Sequence, residues 1–109
     1  MPNPVPEVAP LELDVELKGT NPPILIDVRE DFERNISKLS PDVHVPMNEL
    51  LSRLGELDPE SDLVIYCRTG SRSAAVTAFL LRQGFKKVRN LSTGINGWAR
   101  DIDPGITQY

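Results

Sequence analysis

Leu63-Val64-Ile65-Tyr66-Cys67-Arg68-Thr69-Gly70-Ser71-Arg72-Ser73 is the stretch on which the fold turns. Its first four residues are β-branched, aliphatic or aromatic without interruption, the pattern of a strand buried on both faces of a parallel sheet. Small and charged residues follow. From Ser73 to Gln83, residues Ala74, Ala75, Val76, Ala78, Phe79, Leu80 and Leu81 predict a helix with a broad apolar face, stopped by Gly84. A buried strand passing through a short loop into a helix is the first half of a right-handed βαβ crossover.

The same pattern extends outward. Ile24-Leu25-Ile26-Asp27-Val28 is a second continuously apolar run, entered through two prolines, and its carboxyl end delivers Asp27 and Arg29. Val43-His44-Val45 before Pro46 suggests a brief strand, and Met47 to Leu54 a helix closed by Gly55. Lys87-Val88-Arg89-Asn90-Leu91 reads as a weaker strand, and Gly94 to Arg100 as a short last helix despite an interior glycine. Between Pro10 and Lys18, the alternation of Leu11, Leu13, Val15 and Leu17 fits a strand, whereas Pro10 in a first turn and Gly19 as a stop favour a short helix. Strands alternating with helices imply an α/β fold of three layers, a central parallel sheet of about five strands between helices. Four prolines in the first ten residues favour an extended lead-in, so residues 1–7 are read as a flexible tail or linker and 8–109 as one domain.

Composition narrows the function classes. At 109 residues the chain fits one small core, and no apolar run approaches the roughly 18 residues that span a bilayer. No secretory leader is legible at Met1 to Glu7, which makes the cytoplasm the default compartment. A net charge of −4 argues against nucleic acid or an anionic membrane as a partner. One cysteine and one histidine exclude an internal disulfide and the usual zinc clusters, so no metal is expected.

The chemistry is expected at Cys67. In an open parallel sheet, ligands bind beyond the carboxyl ends of the strands, where Cys67 lies. A helix N-terminus presents unpaired N–H groups and about half a positive charge, which stabilises a thiolate placed there. Arg68 and Arg72 add charge, and such surroundings lower a cysteine pKa from about 8.5 to roughly 3.5–7.5. Thr69, Gly70, Ser71 and Ser73 are small, and Gly70 is free to take positive φ, so the backbone can curl around the sulfur with N–H groups inward. A lone cysteine is by default an inert small hydrophobe, but this context supplies donors, two cations and helix orientation together.

With these residues in view, the chain resembles the rhodanese-like family. The resemblance runs through Leu25-Ile26-Asp27-Val28-Arg29-Glu30, the segment from Ile36 to Val45-Pro46, the Cys67 loop, Gly84-Phe85 and Gly94-Ile95-Asn96-Gly97-Trp98. The chain departs from the family at Pro41-Asp42 and at Thr93-Gly94, where local loop shape is left open. Trp98-Ala99-Arg100-Asp101-Ile102-Asp103-Pro104 closing on Tyr109 is similar to the end of adenylyltransferase-sulfurtransferases, which serve molybdopterin, thiamine or tRNA thiolation. An excised fragment of such an enzyme and a stand-alone relative both remain open.

The resemblance implies a sulfurtransferase whose Cys67 takes a sulfur atom from thiosulfate or a persulfide donor and holds it as a transient persulfide, with no other cofactor. The implied acceptor is a nucleophile such as a ubiquitin-like sulfur-carrier protein. In this reading Arg68 or Arg72 receives the donor's negative charge, and Asp27 and Arg29 either brace the loop or form a structural ion pair. The rivals are a catalytically silent binding module and a cysteine phosphatase. The second is disfavoured because phosphatase loops resemble Cys-x5-Arg, whereas here the residue after five intervening positions is Ser73 and Arg72 closes a shorter Cys-x4-Arg loop. His44 is expected to be solvated or hydrogen-bonded, and Glu30-Asp31-Phe32-Glu33-Arg34 to be a solvated helix start.

Overall fold

The structure, a computed structural model, describes residues 4–109. Five strands form one parallel sheet: β1 (Glu7–Val8), β2 (Ile24–Asp27), β3 (Val43–His44), β4 (Asp62–Tyr66) and β5 (Lys87–Leu91), in the order β1-β5-β4-β2-β3. The helices are α1 (Pro10–Leu17), α2 (Asp31–Ile36), α3 (Leu50–Arg53), α4 (Ser71–Arg82) and α5 (Gly94–Asp101). The three-layer α/β expectation therefore holds. The alternative of a strand at Pro10–Lys18 falls to the helix, which begins on Pro10 and buries Leu13.

The central strand shows why its residues are all apolar. Side chains alternate across a strand, so Leu63, Ile65 and Cys67 enter one core with Val76, Leu80 and Phe85, while Val64 and Tyr66 enter the other with Leu13, Ile95 and Trp98. Both faces are covered, one by α3 and α4 and the other by α1 and α5. The register Asp27↔Tyr66 between β2 and β4 brings the carboxyl ends of the two strands level, so Asp27, Arg29 and Cys67 emerge at the same edge. Among the described residues no helix is long and apolar enough to cross a membrane.

Three expectations are corrected. Residues 1–3 of the expected tail lie outside the described residues, but its last part is sheet: the Pro6 carbonyl accepts the Asn90 N–H at 2.9 Å, and Glu7 and Val8 pair with Asn90 and Leu91. A two-residue edge strand tolerates the prolines beside it. The expected helix over Met47–Leu54 is one α turn, α3, between 3-10 turns at Met47–Glu49 and Leu54–Glu56. The buried face of α4 is Ser73, Val76, Thr77 and Leu80, spaced i, i+3, i+4, i+7, and Ala75 is exposed. Thr77 is accommodated because its hydroxyl donates to the Ser73 carbonyl at 2.8 Å.

Candidate active site

Gly70 sets the turn from β4 into α4. Its φ of +108° is open to glycine without strain, and a Cβ there would strike the Ser92 carbonyl. The turn starts α4 at Ser71, two residues earlier than the apolar pattern suggests, and aims the first free N–H groups of the helix back at Cys67. The Gly70 N–H lies 3.1 Å and the Ser73 N–H 3.5 Å from Cys67 Sγ, and the Ser73 hydroxyl lies 3.2 Å from it.

Cys67 is 1% exposed. Burial pushes the thiol up, but the Ser73 hydroxyl and the N–H groups of Ser73, Gly70 and Thr69 together outweigh it and hold the thiol below its ordinary value. This is the preorganised donor set that a buried anion requires. Asn90 completes it from β5, accepting the Ser73 hydroxyl at 2.5 Å and donating to the Gly70 carbonyl at 3.1 Å.

The outer side of the loop is fixed by α5. The Cys67 and Arg68 carbonyls accept the N–H groups of Ile95 and Asn96 at 2.9 and 3.1 Å. This close approach requires glycine at position 94, where φ is +65° and a Cβ would run into the Arg68 carbonyl and the Thr69 nitrogen. Thr93-Gly94, a point of departure from the family pattern, thus keeps the glycine that touches the loop.

The two loop arginines differ. Arg72 donates to both Glu33 carboxylate oxygens, at 2.8 and 2.9 Å. These bonds raise its guanidinium above the ordinary value, and the nearby Cys67 sulfur adds to the effect. Arg68 is exposed, and among the described residues its side chain makes no hydrogen bond or ion pair; its guanidinium lies 5.0 Å over the Tyr109 ring. Thr69 and Ser71 are exposed at the rim.

Glu33 overturns the reading of its segment as a solvated helix start. Its carboxylate is buried, accepting the Tyr109 hydroxyl at 2.7 Å and the Glu30 N–H at 2.8 Å in addition to Arg72. The Arg72 hydrogen bonds are the largest influence and draw the carboxyl down from 4.5 to about 2, although burial opposes them. Neither Glu33 nor Tyr109 was marked as a site residue by the sequence. The only signal for Glu33 was a glutamate three residues after Glu30, a helix-start pattern that says nothing of a partner so distant in the chain.

Asp27 and Arg29 make a fully buried pair, with Arg29 Nε and a terminal nitrogen each 2.9 Å from Asp27. Among the described residues, neither side chain is hydrogen-bonded to the Cys67 loop. Arg29 donates to the Tyr109 hydroxyl at 2.8 Å, which donates onward to Glu33, and to the Glu33 carbonyl at 3.4 Å, so the pair is linked to the loop indirectly, through Glu33 and Arg72 and through the Tyr109 ring beneath Arg68. Asp27 also accepts Arg34 at 2.8 Å, and Arg34 in turn binds Asp42. Asp42, at the other departure from the family pattern, also accepts the Tyr66 hydroxyl at 2.6 Å. The carboxylates of Asp27, Glu33 and Asp42 thus face the guanidinium groups of Arg29, Arg34 and Arg72 in one connected, balanced network. His44 lies beside it, with Nε2 2.7 Å from the Arg29 carbonyl. Among the described residues no group of three or more potential metal ligands comes together.

Known proteins are similar to this chain in sequence and fold. The sequence model of the rhodanese-like domain family matches residues 10–101. A sulfurtransferase of Allochromatium vinosum is 35% identical over 96 residues, which are 88% of this chain and 90% of that protein. The probable adenylyltransferase/sulfurtransferase MoeZ of Mycobacterium tuberculosis is 32% identical over 94% of this chain, which spans only 26% of that protein. The crystal structure of a rhodanese-like domain protein from Staphylococcus aureus superposes with a TM-score of 0.83 at 25% identity, covering 95% of this chain and 98% of that one.

Proposed function

The chain belongs to the rhodanese-like domain family, and on that premise we propose that it is a sulfurtransferase in which Cys67 carries the transferred sulfur as a persulfide. The observation that carries this reading is the buried Cys67 sulfur, faced by two N–H groups and a hydroxyl and held below its ordinary pKa. A thiolate, not a thiol, is the nucleophile in sulfur exchange.

In the loading step the Cys67 thiolate attacks the outer sulfur of the donor. The donor's S–S bond breaks, a bond from Cys67 Sγ to the transferred sulfur forms, and the electron pair leaves with the remainder, sulfite from thiosulfate or a thiolate from a persulfide. In the second step an acceptor nucleophile attacks the outer sulfur, and the Cys67 thiolate returns. Cys67 is the only cysteine in the sequence, so no thiol of the chain itself can displace the sulfur as a disulfide forms. The persulfide is therefore passed to an external acceptor.

A sulfur-carrier protein is the acceptor class this reading favours. It is supported by the similarity to an adenylyltransferase/sulfurtransferase over nearly the whole chain. The test is mass spectrometry of the protein after incubation with thiosulfate or a persulfide. The expected product is one added sulfur atom on Cys67, removed by reductant or by a nucleophilic acceptor. Undiminished sulfur transfer by a folded Cys67→Ala variant overturns the proposal.

A further inference from the structure

An anion approaching the Cys67 loop meets two arginines of unequal availability. Arg72 is held by both oxygens of Glu33, whose side chain is 5% exposed against 35% for Arg72. Glu33 does not turn aside easily, because the Tyr109 hydroxyl and the Glu30 N–H also bind it, at 2.7 and 2.8 Å. The Arg68 side chain, free of hydrogen bonds among the described residues, rests over the Tyr109 ring. With Cys67 as the thiolate, the charges of Arg68 and Arg72 are cancelled by those of Glu33 and the sulfur. The loop looks cationic in the sequence and is close to neutral in the fold.

We propose that Glu33 is a specificity-determining residue that acts through Arg72 to favour singly charged sulfane-sulfur donors, the persulfide class, over doubly charged thiosulfate. The inference rests on the sulfur-transfer reading of the Cys67 site. Both donor classes deliver one neutral sulfur atom to the thiolate. From a persulfide the departing group is a thiolate with one negative charge, and from thiosulfate it is sulfite with two. A carboxylate fixed beside Arg72 repels each donor in proportion to its charge, from approach to departure. Glu33 is held ionised down to about pH 2 by Arg72, so the repulsion persists at every pH at which the loop can work.

Glu33→Gln removes the charge while keeping the size of the side chain and an oxygen for Arg72. The probes are thiosulfate, a dianion, and methanethiosulfonate, a monoanion that loses a sulfinate by the same cleavage. The reading is kcat/KM for each donor with cyanide as acceptor. One charge about 4 Å away changes an interaction by about five-fold per donor charge at the dielectric of water. The thiosulfate-to-methanethiosulfonate ratio is therefore expected to rise about five-fold in Glu33→Gln, and to fall back towards the original value as salt is added. Glu33→Asp, which keeps the charge, is expected to keep the original ratio. A purely structural role would lower both donors together, with no salt dependence in the ratio. An unchanged ratio with both donors still active overturns this inference alone. Failure of both donors to load Cys67 in the unaltered protein overturns the proposed function, and this inference with it.

Discussion

Replacing Ser73 with alanine removes the one side-chain donor that faces Cys67 among the described residues. The Ser73 hydroxyl lies 3.2 Å from the sulfur, while the N–H groups of Gly70 and Ser73 belong to the backbone and survive the change. A hydrogen bond to a charged group contributes roughly 1.5–3 kcal/mol, and one pH unit of pKa corresponds to about 1.4 kcal/mol. A donor given wholly to the thiolate would thus account for about one to two pH units. The hydroxyl has a single proton, however, and Asn90 Oδ1 lies closer to it, at 2.5 Å. Sharing places the expected rise at the lower end, about one pH unit. The assay is the pH dependence of Cys67 alkylation by iodoacetamide, an uncharged reagent whose rate follows the thiolate fraction. Ser73→Ala also leaves Asn90 Oδ1 buried without its donor, so a loss of about 1–3 kcal/mol in denaturant unfolding accompanies the change. A midpoint that stays put while stability falls would refute the reasoning, because the proton would then reside entirely with Asn90.

Two further outcomes follow from the same geometry. Gly94→Ala forces a side chain into positive φ and against the Arg68 carbonyl, so a loss of about 2 kcal/mol or more in chemical denaturation is expected, together with slower alkylation of Cys67 as the loop shifts. The Glu33 carboxyl is lowered from 4.5 to about 2 on folding, chiefly by Arg72. Its contribution to stability is therefore complete above pH 4.5 and is lost as the pH falls through about 2. Stability measured across that window should fall less steeply in Glu33→Gln, by of order 2 kcal/mol once the solvent exposure of Arg72 is allowed for; an identical acid slope would contradict the pairing.

The network around Arg29 explains why so much charge is buried near a small site. Arg29 is wholly buried, yet its guanidinium finds Asp27, the Tyr109 hydroxyl and the Glu33 and Ser37 carbonyls. Burial opposes its charge, but these partners win and raise its pKa above the ordinary value. A buried ion pair lends little net stability, whereas removing one member is costly. Its structural effect here is to tie β2, the start of α2 and the C-terminal segment at Tyr109 to one another at the edge of the sheet where Cys67 emerges.

Local sequence was enough for the parts whose cause is local. A continuous apolar run from Leu63 to Tyr66, a glycine able to take positive φ at position 70, and a helix-forming stretch after it specify strand, turn and helix, because each depends on neighbours a few residues away. The reactive setting of Cys67 follows from the same stretch, since its N–H donors lie within six residues of it. The charge state of the loop was not legible. Arg72 and Glu33 are separated by 39 residues, and Glu33 and Tyr109 by 76, so a run such as Glu30 to Arg34 reads as solvated until the fold brings its partner across. The same holds for Glu7 and Val8, which become a strand only because β5 offers an open edge. The sequence by itself determined a parallel α/β domain with a cysteine at a helix start, facing the helix N–H groups, because pattern and turn chemistry act over short range. Tertiary structure alone decided which arginine stays free beside that cysteine, because a charge is neutralised by whatever folding places next to it.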